Sequence, residues 1–256
     1  MLDSHYVETI TEGGLDYFLN NGQKFPSVTT ILKVVAKYRG ITLSGWKNQR
    51  RLSSWRLRIG EKTADQIRND SCQRGIEFHQ RIANYLRGGK GTQWPQDLLP
   101  FGNSIKPTLL QLAPIKDVKV VEGIVFHPKL RYAGKVDAIV KWQGNLSLME
   151  WKTANTPKKL EWIRSYLIQS AAYIAAANKT YNLGLKQSLI VIATPNRDAQ
   201  VFFISLEELK IYFREWLHYV EFFWALKSSM NIHTGEPLKL VKVIGANGYK
   251  PIKLSP

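Results

Sequence analysis

The stretch from residue 118 to residue 152 constrains the fold more than any other part of the chain. Residues 118–126, 134–142 and 146–152 are rich in Val, Ile and Leu, and Gly144-Asn145 separates the second run from the third. Such runs suit pleated, half-buried backbone, and a Gly/Asn pair between two of them reads as a hairpin turn. Residues 187–194 and 200–205 have the same character and are divided by Pro195-Asn196. Helical periodicity fills the gaps at 103–113, 160–178 and 206–227. The order of helices, three strands, helix, two strands, helix predicts one α/β domain.

The N-terminal part reads differently. Gly13-Gly14 and Asn21-Gly22 punctuate the first 25 residues and predict a small hairpin, and Ser27 or Thr29 is placed to cap a helix over 31–38. Residues 43–86 are mostly helical and strongly basic, with Asn69 or Asp70 as the expected cap of a helix ending before Gly88-Gly89. Residues 1–70 are therefore read as a helical elaboration, 71–227 as the core and 228–256 as a tail of a single domain.

Charge narrows the function. Lys and Arg number 36 against 20 Asp and Glu, a formal net charge of +16. That excess favours a polyanionic partner, because basic side chains on phosphates release condensed counterions. Cys72 is the single cysteine, which excludes an intrachain disulfide or a cysteine-built cluster. The opening MLDSHYVETITEGG lacks the regions of a secretory signal, and no apolar run approaches the roughly 20 residues of a membrane span. A soluble cytoplasmic location without membrane contact is the expectation.

The chemistry concentrates in Gly134-Lys135-Val136-Asp137 and Glu150-Trp151-Lys152. Alternation along a strand puts Glu150 and Lys152 on one face and Trp151 on the other. A turn centred on Gly144-Asn145 sets Asp137 opposite about residue 152, within a residue or two of both. Two carboxylates and an ammonium then converge. Carboxylate oxygens suit Mg²⁺, and a nearby lysine can orient water and offset negative charge during phosphodiester hydrolysis. A single surface Glu–Lys pair would mean little; the whole hairpin is rarer. His79, with Gly75, Ile76, Ile82 and Ala83 one helical turn away, is expected to face the core and to complete a metal site. Gln169 and Tyr173 share a helix face and are expected to support the metal, the lysine or a phosphate.

These residues occur in an order, Gly-x-x-x-His, Gly-x-x-Asp, Glu-x-Lys, Gln-x-x-x-Tyr, that resembles the PD-(D/E)XK nuclease superfamily in its RecB-like branch. Further likeness comes from Pro26-Ser27-Val28-Thr29-Thr30-Ile31-Leu32 and from the run between Glu122 and Thr153. With these segments, residues 26–175 are similar to the mitochondrial genome maintenance exonuclease group and its bacterial and phage relatives. That group usually carries Asp-Trp-Lys where this chain has Glu150-Trp151-Lys152. The resemblance implies a mixed central β-sheet flanked by helices, a restriction-endonuclease-like core. It also implies Mg²⁺ or Mn²⁺ on His79, Asp137 and Glu150, with Lys152 catalytic and Gln169 and Tyr173 supporting it. Glu122 matches a further family carboxylate, and Thr153 a phosphate contact. The iron–sulfur cluster of many RecB-like nucleases is excluded by the lone cysteine.

The leading expectation is a metal-dependent DNA exonuclease acting on single strands or frayed ends. Segment 43–68, with Trp46, Arg50 and Arg51, is the candidate DNA channel, since basic grooves with aromatics track single strands. The alternatives are an endonuclease on duplex or branched DNA and a catalytically idle DNA-binding module.

Overall fold

The computed structural model describes residues 6–11, 14–19, 24–39, 46–89, 93–112 and 117–228, with side chains given from residue 24 onward except 39–52. Its centre is a five-stranded mixed sheet, in the order β4-β5-β6-β7-β8. The strands are β4 (Val118–His127), β5 (Tyr132–Trp142), β6 (Asn145–Thr153), β7 (Ser188–Ala193) and β8 (Gln200–Ile204). β4, β5 and β6 form an antiparallel meander, β6 pairs parallel with β7, and β7 pairs antiparallel with β8. The parallel step needs a crossover, supplied by α5 (Arg164–Tyr181).

Helices cover both faces. On one, α5 packs with α1 (Val28–Arg39) and α6 (Leu206–Ser228) over Ile139, Leu148, Ile190 and Ile204. On the other, α3 (Glu61–Leu86) and α4 (Leu99–Leu110) bury Phe78, Ile82, Phe101 and Ile105 against Ala138, Met149, Trp151 and Val191. The expected mixed sheet flanked by helices is therefore the architecture. A smaller sheet of β1 (Tyr6–Thr11), β2 (Gly14–Leu19) and β3 (Lys24–Pro26) precedes it, so the expected N-terminal hairpin gains a third strand. A parallel bridge between Ser27 and Ala133 ties this region to β5.

Several expectations shift in detail. Ser27 does cap α1: its Oγ accepts the Thr30 N–H at 3.0 Å. Asn69 and Asp70 cap nothing, because α3 runs through them from Glu61. The break falls at Gly60, whose φ of +85° suits glycine and separates α3 from α2 (Trp46–Ile59). Arg56 then ties the two helices to each other through Glu61 and Asp65. The division expected at residue 70 thus falls inside a helix. α4 begins at Leu99 rather than 103, since Pro100 is tolerated in a first helical turn. The expected C-terminal tail beyond Ser228 lies outside the described residues. No helix of the described residues is long and apolar enough to cross a membrane.

Candidate active site

The β5–β6 hairpin sets the geometry. Trp142 pairs with Asn145, so the two turn residues are Gln143 and Gly144, one position earlier than Gly144-Asn145. Both have positive φ, 47° and 85°, the requirement of a two-residue turn that follows the strand twist. The shift moves every cross-strand partner by two. Asp137 is level with Glu150 rather than with residue 152.

The paired register stops at Ala138 and Met149. Beyond it, carboxylates take over main-chain hydrogen bonding. Asp137 Oδ2 accepts the Trp151 N–H at 2.8 Å, and Glu150 Oε1 accepts the Asp137 N–H at 3.2 Å. This exchange keeps buried donors satisfied where the strands part, and anchors both acids to β5 and β6.

Side chains from both helical layers meet at this opening. From α3, His79 Nδ1 lies 3.0 Å from Asp137 Oδ1. From the opposite layer, the Tyr166 ring of α5 stands 5.5 Å from Lys152 Nζ. That ammonium donates to Glu150 Oε2 at 3.2 Å and lies 4.0 Å from Asp137 Oδ2. Four of the expected residues, His79, Asp137, Glu150 and Lys152, are thus gathered at one place. The stripe expected around His79 differs, however. Ile76 is exposed, and the buried face of α3 is Phe78, Ile82, Ala83 and Leu86. His79 therefore sits at the margin of the core, where it can face the opening.

Gln169 and Tyr173 are buried on α5, and the Gln169 amide donates to the Tyr173 hydroxyl at 3.1 Å. Tyr173 packs directly on β5. A Cβ at Gly134 would come within 2.4 Å of its ring. Glycine three residues before Asp137 is thus what lets α5 approach. Thr153 ends β6, level with Ala193. Trp46, Arg50 and Arg51 lie on α2, but their side chains are outside the described residues.

Glu122 of β4 holds a place that strand pattern alone did not reveal. It lies between the pairs Val121–Ala138 and Gly123–Val136, level with Asp137, with φ of 53°. A left-handed glutamate is uncommon and costs roughly 1 kcal/mol or more. His79, Glu122 and Asp137 each offer a ligand atom, and all these atoms lie within 4.8 Å of one another. Glu122 also contacts Lys135 Nζ at 2.8 Å. Tyr166 was missed as well, although its spacing of three and seven from Gln169 and Tyr173 marks the same helix face.

Burial and charge pull these groups apart in acidity. Burial drives Glu150 upward, the Asp137 charge adds to it, and the carboxyl is pushed up to about 7 despite Lys152. Burial also acts upward on Asp137, but His79 and Lys152 outweigh it and hold Asp137 below the usual range. Burial acts downward on His79 and Lys152. The neighbouring carboxylates reverse this, and both end above their ordinary values, His79 chiefly through Asp137 and Lys152 chiefly through Glu150.

Fold and site define an α/β protein with an acid–lysine–histidine centre at an opening in its main sheet. The chain is similar in sequence to proteins named mitochondrial genome maintenance exonuclease 1. It is 28% identical to the Homo sapiens protein of that name over 218 residues, covering 82% of this chain and 61% of the relative. The Mus musculus protein is 27% identical over 225 residues, covering 83% and 62%. For Xenopus tropicalis the values are 28% over 202 residues, covering 75% and 55%. The chain thus spans about three-fifths of the length of these relatives. No protein-family profile matches it. Two solved structures show weaker likeness at 15% identity. SSO0001 covers 64% of this chain and 70% of its own at a TM-score of 0.34. A protein from Eubacterium rectale described as a candidate exonuclease covers 58% and 64% at 0.38.

Proposed function

We propose that the chain is a metal-dependent deoxyribonuclease that hydrolyses phosphodiester bonds at single-stranded or frayed DNA ends. The observation that carries this reading is the convergence of His79, Asp137, Glu150 and Lys152 where the β5–β6 ladder opens. The names of the homologues and the net charge of +16 support it.

The donor set fits a hard divalent ion. His79, Glu122 and Asp137 supply one imidazole and two carboxylates within 4.8 Å of one another, and Glu150 adds a third carboxylate beside them. Such ligands suit Mg²⁺ or Mn²⁺. When bound, such an ion polarises the phosphoryl group and favours ionisation of the attacking water.

The remaining chemistry belongs to the side chains. Lys152, kept protonated by Glu150 and Asp137, offsets the negative charge that grows on the phosphoryl oxygens. Glu150, whose Oε2 accepts from the Lys152 ammonium at 3.2 Å, holds that lysine in place beside the ligands. Gln169 and Tyr173, hydrogen-bonded to each other on α5, are assigned to orient phosphate, together with Thr153 at the end of β6. Basic residues of α2, with Arg50 and Arg51, guide the strand.

Two experiments test the reading. Calorimetric Mn²⁺ titration should show binding to the wild type and a large loss in Asp137→Asn; equal affinity in both would remove Asp137 from the metal site. The requirement for an end is tested with Mg²⁺ and circular single-stranded DNA beside the same DNA linearised once. The linear form should be degraded and the circle should survive. Comparable loss of both would replace the exonuclease with an endonuclease.

A further inference from the structure

The loop that leaves the site carries an aromatic side chain that the reading above does not use. β6 ends at Thr153, and residues 154–163 lead from it into α5. The loop is fixed. The Ala154 N–H donates to Ala193 O at 2.9 Å. Gln200, at the start of β8, clamps Lys158 both ways, accepting its N–H at 2.7 Å and donating to its carbonyl at 3.0 Å. A short 3-10 turn, Leu160–Trp162, follows, and Ile163 beneath it is buried at the head of α5.

On this anchored turn Trp162 is 45% exposed and Leu160 49%. Among the residues whose side chains are described, Trp162 and Phe203 are the only exposed Phe, Trp or Tyr. Lys159 Nζ lies 5.6 Å from the Trp162 ring centroid. Three residues into α5 comes Tyr166, whose ring contacts the Lys152 ammonium. The chain thus runs from Lys152 and Thr153 through Lys158, Lys159 and Trp162 and back to Tyr166 over Lys152. Glu161 is the acidic residue in this stretch; Arg164 is paired with Glu215.

An exposed indole is normally disfavoured, because burying an aromatic ring contributes more than leaving it in water. A ring held on a fixed turn beside cations matches the elements that bind flexible single strands, where bases stack on aromatics and lysines follow the phosphates. We propose that Trp162 is a base-stacking platform for a single-stranded DNA substrate, with Lys159 on the adjoining phosphate. This rests on the nuclease reading and adds to it the place where the strand is gripped beside the reacting bond. Preorganisation by the Gln200 clamp means that little conformational freedom is lost on binding.

The test uses the full chain in Ca²⁺ and fluorescein-labelled oligothymidylate, with binding read by anisotropy. Trp162→Ala should weaken binding about tenfold, in the range seen for loss of one stacked base, and Trp162→Phe should restore most of it. Oligonucleotides carrying a single abasic position, scanned along the strand, should reveal one position whose loss weakens the wild type and leaves Trp162→Ala unchanged. An unaltered melting temperature would show that the alanine variant is folded. If the wild type binds and cleaves while Trp162→Ala binds equally well, the platform is refuted and the nuclease reading stands. If the wild type neither binds nor cleaves single strands, both fall.

Discussion

Glu150 carries the strongest signature of any single residue in the site. It is buried with its carboxyl pushed up to about 7, while an unfolded chain would return it to about 4.5. Between those values the folded state holds the proton and the unfolded state does not, so stability falls as pH rises through this window. His79 acts in the same sense: its raised value means that its contribution is present at low pH and lost as pH rises through the folded value. Asp137, held low, contributes the opposite trend only at more acidic pH. The metal-free protein, kept in chelator, should therefore melt at lower temperature at pH 8 than at pH 5.5. Glu150→Gln should flatten that slope, which scanning calorimetry would detect; an unchanged slope would mean the carboxyl is not held protonated. Gly134 gives a second residue-scale prediction. Gly134→Ala drives a methyl into Tyr173, so about 1–3 kcal/mol of stability should be lost. Denaturant unfolding checks this, and a neutral substitution would show that α5 can move away. Asp137, Glu150 and Lys152 were legible because strand alternation is a strong local pattern. Glu122 in its left-handed conformation was not, because no neighbouring residue type encodes a positive φ at a glutamate.

Among the elements, the β5–β6 hairpin fixes how the acids meet. Its turn was legible as a turn but misplaced by one residue, since Asn145 is a stronger turn former than Gln143. Backbone twist nevertheless selects Gln143-Gly144, with both φ positive. Gln143→Asn should accordingly raise stability by a few tenths of a kcal/mol, whereas Gly144→Ala should cost about 1 kcal/mol or more, both read from denaturant midpoints. A Gln143→Asn variant that is destabilised would mean that Gln143 lies outside the turn. The helices show the same division. Ser27 was readable as a cap because its Oγ has a backbone N–H to accept. Asn69 and Asp70 also look like caps, yet they lie within the 26 residues of α3, exposed on its surface. Capping residue types mark helix starts only where the backbone also turns, and here Gly60 is that place.

At the scale of the whole molecule, the layer order was legible because elements alternate in type along the chain. The meeting of His79 with Asp137 was less so: 58 residues separate them, and they come from different layers. Local periodicity placed His79 on a buried face, and only the opening of the sheet explains how it reaches the acids. The net charge of +16 is likewise a property of the whole chain. It predicts that affinity for single-stranded DNA in Ca²⁺ falls steeply with salt, with a log–log slope of about −0.7 for each phosphate contact. A flat response would assign the charge to another purpose. The central claim, that this opening is a phosphodiester-cleaving centre, is tested most directly at Lys152. Single-turnover cleavage of linear single-stranded DNA in Mg²⁺ should fall by about 10²–10³ in Lys152→Ala, the typical effect of removing one transition-state stabiliser, while DNA binding in Ca²⁺ is kept. Cleavage by the variant at the wild-type rate, or no cleavage by the wild type, would contradict the account.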